Sequence, residues 1–344
     1  MTYHGILQSV EQAREGLVRA QALEKGIHMA QSDKIRLMTK IARMYYAQGI
    51  SQTEITDRLN VHQSTVSRLL KRALETGIVR ISVTAPGGVH ADLEEAIESR
   101  FGLREAVVVD SVSNNEAQIV RDIGSAGASF MELAVRPGQT IGISSWSLSL
   151  LEMTNAMHPA KIGSGSKVVQ ILGGLGNPAA QIHATHLTQR LAHLIGGEAI
   201  LLPVPGVTSS AEAKKVLLQE SYVRAATKLF DAMDLVLVGI GAVEPSRLLA
   251  SSGNVFSSQE LNQLRKQGAA GDLCLQFFDP EGAPVHTELA GRVIGMSLQQ
   301  IKKARRVVAL AGGKRKVEAI RGALLGQWID VLITDCWTAR AIVK

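Results

Sequence analysis

Ser51-Gln-Thr-Glu-Ile-Thr-Asp-Arg-Leu-Asn-Val-His-Gln-Ser-Thr-Val-Ser-Arg-Leu-Leu-Lys-Arg-Ala-Leu-Glu-Thr-Gly77 carries two short helical patterns joined by a tight turn, the arrangement of a helix-turn-helix. Ser51 is placed to cap the first helix, with Glu54 three residues on to complete a capping box, and Ile55 and Leu59 form its apolar side. Asn60 falls at the turn, where a left-handed backbone suits Asn better than most residues, and Val61 plugs the space between the helices. The second helix is expected from about His62 to Thr76. Its stripe of Val66, Leu69, Leu70 and Ala73 leaves Gln63, Ser64, Thr65, Ser67, Arg68 and Lys71 toward the other side. A helix-turn-helix lays the start of its second helix in the major groove, where Gln and Arg make bidentate base contacts and Ser or Thr adapts to several partners. An ordinary helical hairpin with a solvated face has the same periodicity.

Charge separates the two readings. Residues 33–84 hold nine Lys and Arg against four acids, 9 − 4 = +5, while the whole chain carries +6. Nearly all the excess positive charge sits in roughly a seventh of the chain, as expected if that part alone meets a polyanion. Upstream, 34–49 reads as a first helix stopped by Gly49, and residues 1–32 as an arm, either frayed or an oligomer contact. Downstream, Gly77 is a second helix stop. The alternating Ile78–Val83 predicts a β-wing, from which Arg80 adds a phosphate contact.

Ala85-Pro-Gly-Gly-Val89 breaks both patterns and marks the domain boundary, with 85–91 as linker. Residues 92–344 form the second domain. Its expected strands are 106–110, 140–143, 168–172, 199–203, 235–240, 273–278, 307–311 and 331–334. Most are continuous apolar runs, the mark of strands buried on both faces, so an α/β layered domain with a mostly parallel sheet follows. Asp279-Pro-Glu-Gly282 is a turn sequence and predicts a hairpin at an edge. Composition excludes other classes: 46% apolar and 20% charged residues are ordinary for a globular chain. No stretch approaches the ~18–20 uncharged apolar residues of a membrane span, and the start is not a secretory signal. A soluble cytoplasmic protein is expected. Cys274 and Cys336 lack metal-ligand spacing and read as buried free thiols, so no metal site and no cofactor is expected.

Several strands run into glycine-rich turns that open helices: Gly142-Ile-Ser-Ser-Trp146, Leu172-Gly-Gly-Leu-Gly176, Gly239-Ile-Gly-Ala242 and Ala311-Gly-Gly-Lys-Arg-Lys316. Gly268-Ala-Ala-Gly-Asp272 precedes a strand instead. Open α/β sheets bind ligands at the carboxyl ends of their strands, where glycines allow close backbone approach and helix N-termini attract anions. A small polar or phosphorylated ligand is the preferred reading over merely tight connections. No P-loop or GxGxxG fingerprint is present.

These motifs in this order, from Ser67-Arg-Leu-Leu-Lys-Arg72 through Leu172–Gly176, Pro203-Val-Pro-Gly206, Val238–Ala242, Gly268–Asp272, Ala311–Ile320 and Thr334-Asp…Ala339, resemble the SorC-type sugar-binding transcriptional regulators over about residues 33–343. The resemblance implies a winged helix-turn-helix followed by a NagB/RpiA/CoA-transferase-like effector domain. It also implies a homodimer or homotetramer, and a repressor or activator whose binding to double-stranded operator DNA is altered by a sugar, polyol or sugar phosphate. It places Gly142, Ser144, Ser145, Trp146, Gly173, Gly174 and Asp272 beside the effector, with Lys316 and Thr338 at positions that hold a phosphate in some members. His183, near the start of the helix that follows, is expected to face the same cavity. Other readings stand beside these: Ser144 and Ser145 as helix caps, Asp272 as a carboxylate capping a turn, Lys316 as a solvated first-turn lysine, and His183 as a structural histidine. Leu172 stands where some sugar-phosphate regulators carry a basic residue. The alternative function is a sugar-phosphate isomerase or deaminase, for which only Asp272 and His183 offer a general base.

Overall fold

The computed structural model describes residues 33–79, 88–174, 178–245, 250 and 257–344, except for the side chains of 178–184. The arm 1–32, the wing beyond Val79 with Arg80, residues 85–87 of the linker and the side chain of His183 lie outside the described residues. Contacts divide the chain into two compact units, Met1–Thr84 and Ala85–Lys344.

In the first unit, helix α1 (33–42) ends in a π-helical turn, Arg43–Ala47, and Gly49 follows at φ +67°. Helix α2 (Gln52–Leu59) starts at Ser51, whose Oγ accepts the Glu54 N–H at 3.3 Å. The expected capping box closes only on that side, because the Glu54 carboxylate turns to Arg58, 2.6 Å away, one turn along the helix. Asn60 adopts the left-handed conformation, φ 49° and ψ 51°, and the chain re-enters as helix α3 (Gln63–Glu75). Ile41, Ile55, Val66 and Ala73 are completely buried, and Met38, Leu69 and Leu70 nearly so, in one small core.

The second unit is a three-layer α/β/α arrangement. Its strands are β1 (Glu105–Val109), β2 (Thr140–Ile143), β3 (Lys167–Gln170), β4 (Glu198–Ile200), β5 (Leu235–Val238), β9 (Val307–Leu310) and β10 (Val331–Asp335), all parallel, in the order β1-β10-β9-β5-β2-β3-β4. Every residue of β5, β9 and β10 is buried, as continuous apolar runs require. Alternate side chains supply opposite faces: Val236, Val238, Val307, Ala309 and Leu332 belong to one core, Leu235, Leu237, Val308, Leu310, Val331 and Ile333 to the other. Burying two such faces is the main term holding the layers together, at about 25 cal/mol per Å² of apolar surface. No helix among the described residues is long and apolar enough to cross a membrane.

One expected strand is corrected. Residues 273–278 form not a strand but a hairpin, β7 (Gly271–Leu273) and β8 (Gln276–Phe278), joined by Cys274 and Leu275. Both turn residues have positive φ, 51° and 62°, the pattern of a type I′ hairpin built without glycine. With β6 (Gly241–Ala242) these make a separate three-stranded antiparallel sheet. The turn at Asp279–Gly282 is present as expected, its Gly282 N–H donating to the Asp279 carbonyl and Phe278 bridging to Pro284.

Candidate effector site and DNA-recognition surface

The strand order sets where a ligand can sit. From β2 the chain moves outward to β3 and β4, then returns to place β5 on the other flank of β2, and proceeds through β9 to β10. The loops leaving β2 and β5 therefore diverge, opening a crevice at the carboxyl ends of adjacent strands, the switch point at which open α/β sheets take ligands. A cavity of ≈ 80 Å³ lies there.

Six chain segments line it, Leu172 after β3 being one. The loop after β2 contributes Ser144 and Trp146, and continues into the start of helix α6 (Leu148–Ala156) with Ser147, Leu148 and Ser149. The loop after β5 contributes Gly239 to Ala242. The β7–β8 hairpin brings Asp272, Cys274 and Leu275. Arg315 and Lys316 come from the loop after β9, opposite Glu116 at the start of helix α5 (Glu116–Ala134). Two glycines are required by close approach: a Cβ on Gly239 would fall 2.5 Å from Ser147 Oγ, and one on Gly241 would fall 1.9 Å from Asp272 Oδ1.

Asp272 is the electrostatic centre. It is 8% exposed, and its Oδ2 accepts the Leu275 N–H at 2.9 Å. Its carboxylate thus caps a turn and lines the cavity at once. Burial raises its pKa from 3.8 to about 6, against the lowering effects of the Leu275 hydrogen bond and the Lys316 charge. Burial likewise holds Lys316 below the ordinary lysine range, offset by the Asp272 and Glu116 carboxylates. The Cys274 thiol is pushed up to about 12 by burial, with the Asp272 charge adding to it against a hydrogen bond with Ser144, so it is an uncharged wall group. The positive φ values at Cys274 and Leu275 cost on the order of 1–3 kcal/mol each and survive where packing over-determines them; both are buried. The hairpin pairing of Asp272 with Phe277 and the Leu275 hydrogen bond hold the carboxylate in place.

The other expected residues divide. Ser144, Trp146, Asp272 and Lys316 meet at the cavity. Ser145 does not line it and is no helix cap: its hydroxyl donates to the Leu172 carbonyl at 2.6 Å and accepts from Gln170 Nε2 at 3.0 Å. The cap of α6 is Ser147, which accepts the Leu150 N–H. Trp146 Nε1 donates to the Gly173 carbonyl, and the Gly173 N–H to Ile294. Gly173 therefore braces the loop, Leu172 being the member of that motif at the cavity wall. Gly142 lies within β2, under Ile171. The Thr338 hydroxyl accepts the Gly313 N–H at 2.7 Å and donates to Asp335 at 2.5 Å, holding the loop that carries Lys316. Gly174 is buried, and none of Ser145, Gly142, Gly173, Gly174 and Thr338 lines the cavity. Residues that the sequence reading passed over are Glu116, Ser147, Ser149, Glu244 and Arg315. Only Arg315, next to Lys316 in a glycine-rich turn, carried a local signal.

In the first unit, Gln63, Ser64, Ser67, Arg68 and Lys71 are all exposed on one side of α3 and Thr65 is half-buried. Arg36, Lys40, Arg43 and Arg58 line a basic groove between α1 and α2. That face and that groove are of the kind that meets a nucleic-acid major groove and its phosphates.

Comparison with known proteins agrees with this geometry. The sugar-binding domain family model (Sugar-bind) matches residues 88–344, and a homeodomain-like model matches residues 30–80. The deoxyribonucleoside regulator of Bacillus subtilis (strain 168) is 34% identical over 312 residues, covering 91% of this chain and 98% of that protein. The sorbitol operon regulator of Klebsiella pneumoniae is 30% identical over 318 residues, 92% of this chain and 100% of that one. The crystal structure of the full-length Klebsiella pneumoniae regulator SorC superposes with a TM-score of 0.68 at 29% identity, covering 90% of this chain and 99% of that one. Both family models, the full-length relatives and the superposed structure agree, and the chain belongs to the SorC family of sugar-binding transcriptional regulators.

Proposed function

We propose that the protein binds operator DNA through the exposed face of α3, and that a small polyhydroxylated effector, a sugar, polyol or sugar phosphate, sets its affinity from the cavity at the β2/β5 switch point. The observation that carries this reading is the meeting of one buried carboxylate, Asp272, with Lys316 and the Glu116-paired Arg315 in a crevice at the switch point. Asp272 accepts hydrogen bonds from ligand hydroxyls, while Arg315 and Lys316 face a phosphate or other anionic end. Relatives named for sorbitol and for deoxyribonucleosides support hydroxylated compounds as the class. Gln63, Ser64, Thr65, Ser67 and Arg68 read base edges; Lys71, and Arg80 of the expected wing, hold phosphates. A dimer or tetramer would present paired recognition helices to half-sites about one helical turn apart, or multiples of it. Effector and operator each favour one of two arrangements, and the coupling, typically 1–3 kcal/mol, changes affinity roughly 5- to 150-fold in both directions.

The test is fluorescence anisotropy with DNA from upstream of the coding sequence, at stated salt, with a panel of sugars, polyols and their phosphates. Binding weakens linearly on a log–log salt plot, and one panel member shifts it. Arg68→Ala flattens the difference between operator and random DNA, whereas Lys71→Ala weakens both alike and lowers the salt slope by about 1. Binding indifferent to salt sinks the DNA-binding half; a panel without effect sinks the effector half. The raised pKa of Asp272 is also what a sugar-phosphate isomerase would use in a general base. We read the site as non-catalytic. Turnover of a sugar phosphate that disappears in Asp272→Asn would reverse that reading.

A further inference from the structure

Away from the effector cavity, the fold brings together three side chains that sequence spacing keeps apart. β1 and β10 are parallel neighbours in register, Val109 opposite Asp335, so the residues that follow them, Asp110 and Cys336, come out side by side. His90, at the start of helix α4 (Ala91–Phe101), reaches the same point from a third segment. Its Nε2 lies 3.2 Å from Asp110 Oδ1, and Cys336 Sγ lies 3.8 Å from that same oxygen. All three ligand atoms are within 4.8 Å of one another. The thiol is buried, the imidazole largely so, and the carboxylate opens to solvent.

A hydrogen-bonded His–Asp pair accounts for two of these groups and leaves the thiol unexplained, since a sulfur at that distance is a poor hydrogen-bond donor. A metal accounts for all three. Tetrahedral zinc, with Zn–N and Zn–O near ~2.1 Å and Zn–S near ~2.3 Å, has N···O edges of ~3.4 Å and S···O edges of ~3.6 Å. Two edges of the trio are thus already set to within a few tenths of an ångström, and the third, His90 Nε2 to Cys336 Sγ, is no longer than 4.8 Å. Neutral imidazole, thiolate and carboxylate form a borderline-soft donor set suited to zinc-like ions and unsuited to Mg²⁺ or Ca²⁺, which take oxygen ligands.

We propose that His90, Asp110 and Cys336 form a binding site for a divalent transition metal of the zinc class, with an exchangeable fourth position open to water on the Asp110 side. Binding converts Cys336–SH to the thiolate and releases one proton to solvent, while His90 coordinates through Nε2 in its neutral form. The two anionic ligands balance the dication. The metal fastens the start of the second unit, at His90, to the β1–β10 edge of its sheet.

The experiment uses the full chain, reduced and stripped with a chelator, titrated with cobalt(II) chloride and then zinc chloride. A thiolate-to-cobalt charge-transfer band grows to one equivalent per chain and is bleached by zinc, and zinc raises the melting temperature. Cys336→Ser abolishes the band; His90→Ala and Asp110→Asn weaken cobalt binding at least about tenfold, as loss of a ligand should. A folded wild type without the band overturns the proposal, as does a band surviving in Cys336→Ser or undiminished affinity in both other variants. Should Cys336→Ser fail to fold, the His90 and Asp110 variants, which change less deeply buried groups, decide it. None of these readings uses DNA or effector, so this site and the proposed function fail separately.

Discussion

Replacing Asp272 with Asn probes the charge at the centre of the β2/β5 cavity through stability alone. The native pKa is about 6 and the ordinary value 3.8, so between those values the native state holds a proton that the unfolded chain has released. Stability therefore falls as pH rises through this window, because the unfolded state binds fewer protons. The full penalty is 6 − 3.8 = 2.2 pK units, which at 1.36 kcal/mol per unit is about 3 kcal/mol. It is near zero below pH ~3.5, reaches about half by pH ~5 and is nearly complete at pH ~7. Asn removes the charge and keeps an acceptor for the Leu275 N–H. Urea unfolding of wild type and Asp272→Asn, followed through the second unit at several pH values from 4 to 8, should show the variant gaining stability over wild type as pH rises. The gain should level off near neutrality at about 3 kcal/mol. A difference independent of pH, or a variant less stable at pH 7.5, refutes the assignment of a desolvated carboxylate to this position. The same change removes a charged acceptor for ligand hydroxyls, worth about 1.5–3 kcal/mol, so effector affinity should drop roughly 10- to 100-fold. In wild type, effector binding should weaken as pH falls through about 6 and Asp272 takes up its proton.

Gly241→Ala places a methyl 1.9 Å from Asp272 Oδ1 and should displace the carboxylate, abolishing the effector-induced rise in melting temperature; an undiminished rise would show that this contact does not shape the site. Ile55→Ala opens a cavity in the small core of the first unit, where the side chain is completely buried, and should cost about 2–5 kcal/mol. DNA binding should disappear while the effector-induced melting shift persists, measured on the same preparation. Ser145→Ala removes two bonds from a buried network in which Gln170 Nε2 still donates to the Leu172 carbonyl at 3.2 Å, and should lower the urea midpoint by the equivalent of about 0.5–1.5 kcal/mol.

Much of this protein was legible from local pattern. The Val66, Leu69, Leu70, Ala73 stripe specifies both the buried side of α3 and, by exclusion, its exposed face, since helical period alone sorts those residues. Asn60 at the turn and Gly49 and Gly77 past helix ends adopt the left-handed conformations their residue types suit. The apolar runs of β5, β9 and β10 announce strands covered on both faces. Local pattern failed where tertiary packing overrides it. Leu273-Cys-Leu-Gln-Phe-Phe278 contains no turn residue, so a strand is the natural reading. Buried contacts nonetheless hold Cys274 and Leu275 at positive φ and fold the segment into the hairpin that presents Asp272. Ser144 and Ser145 are equally good caps by residue type, yet Ser147 caps the helix because the chain does not turn helical until Leu148.

Residue type and spacing settle the kinds of element and the chemistry available, because period, capping and composition act within a few residues of each other. Which groups meet depends on long-range packing. That β2 and β5 lie side by side, and that their loops part to admit Asp272 and Lys316, is a fact of long-range strand order. The convergence of His90, Asp110 and Cys336 has the same origin, in the register of two parallel strands whose residues are more than two hundred positions apart. No local pattern encodes that pairing; it arises from burying both faces of one sheet at once.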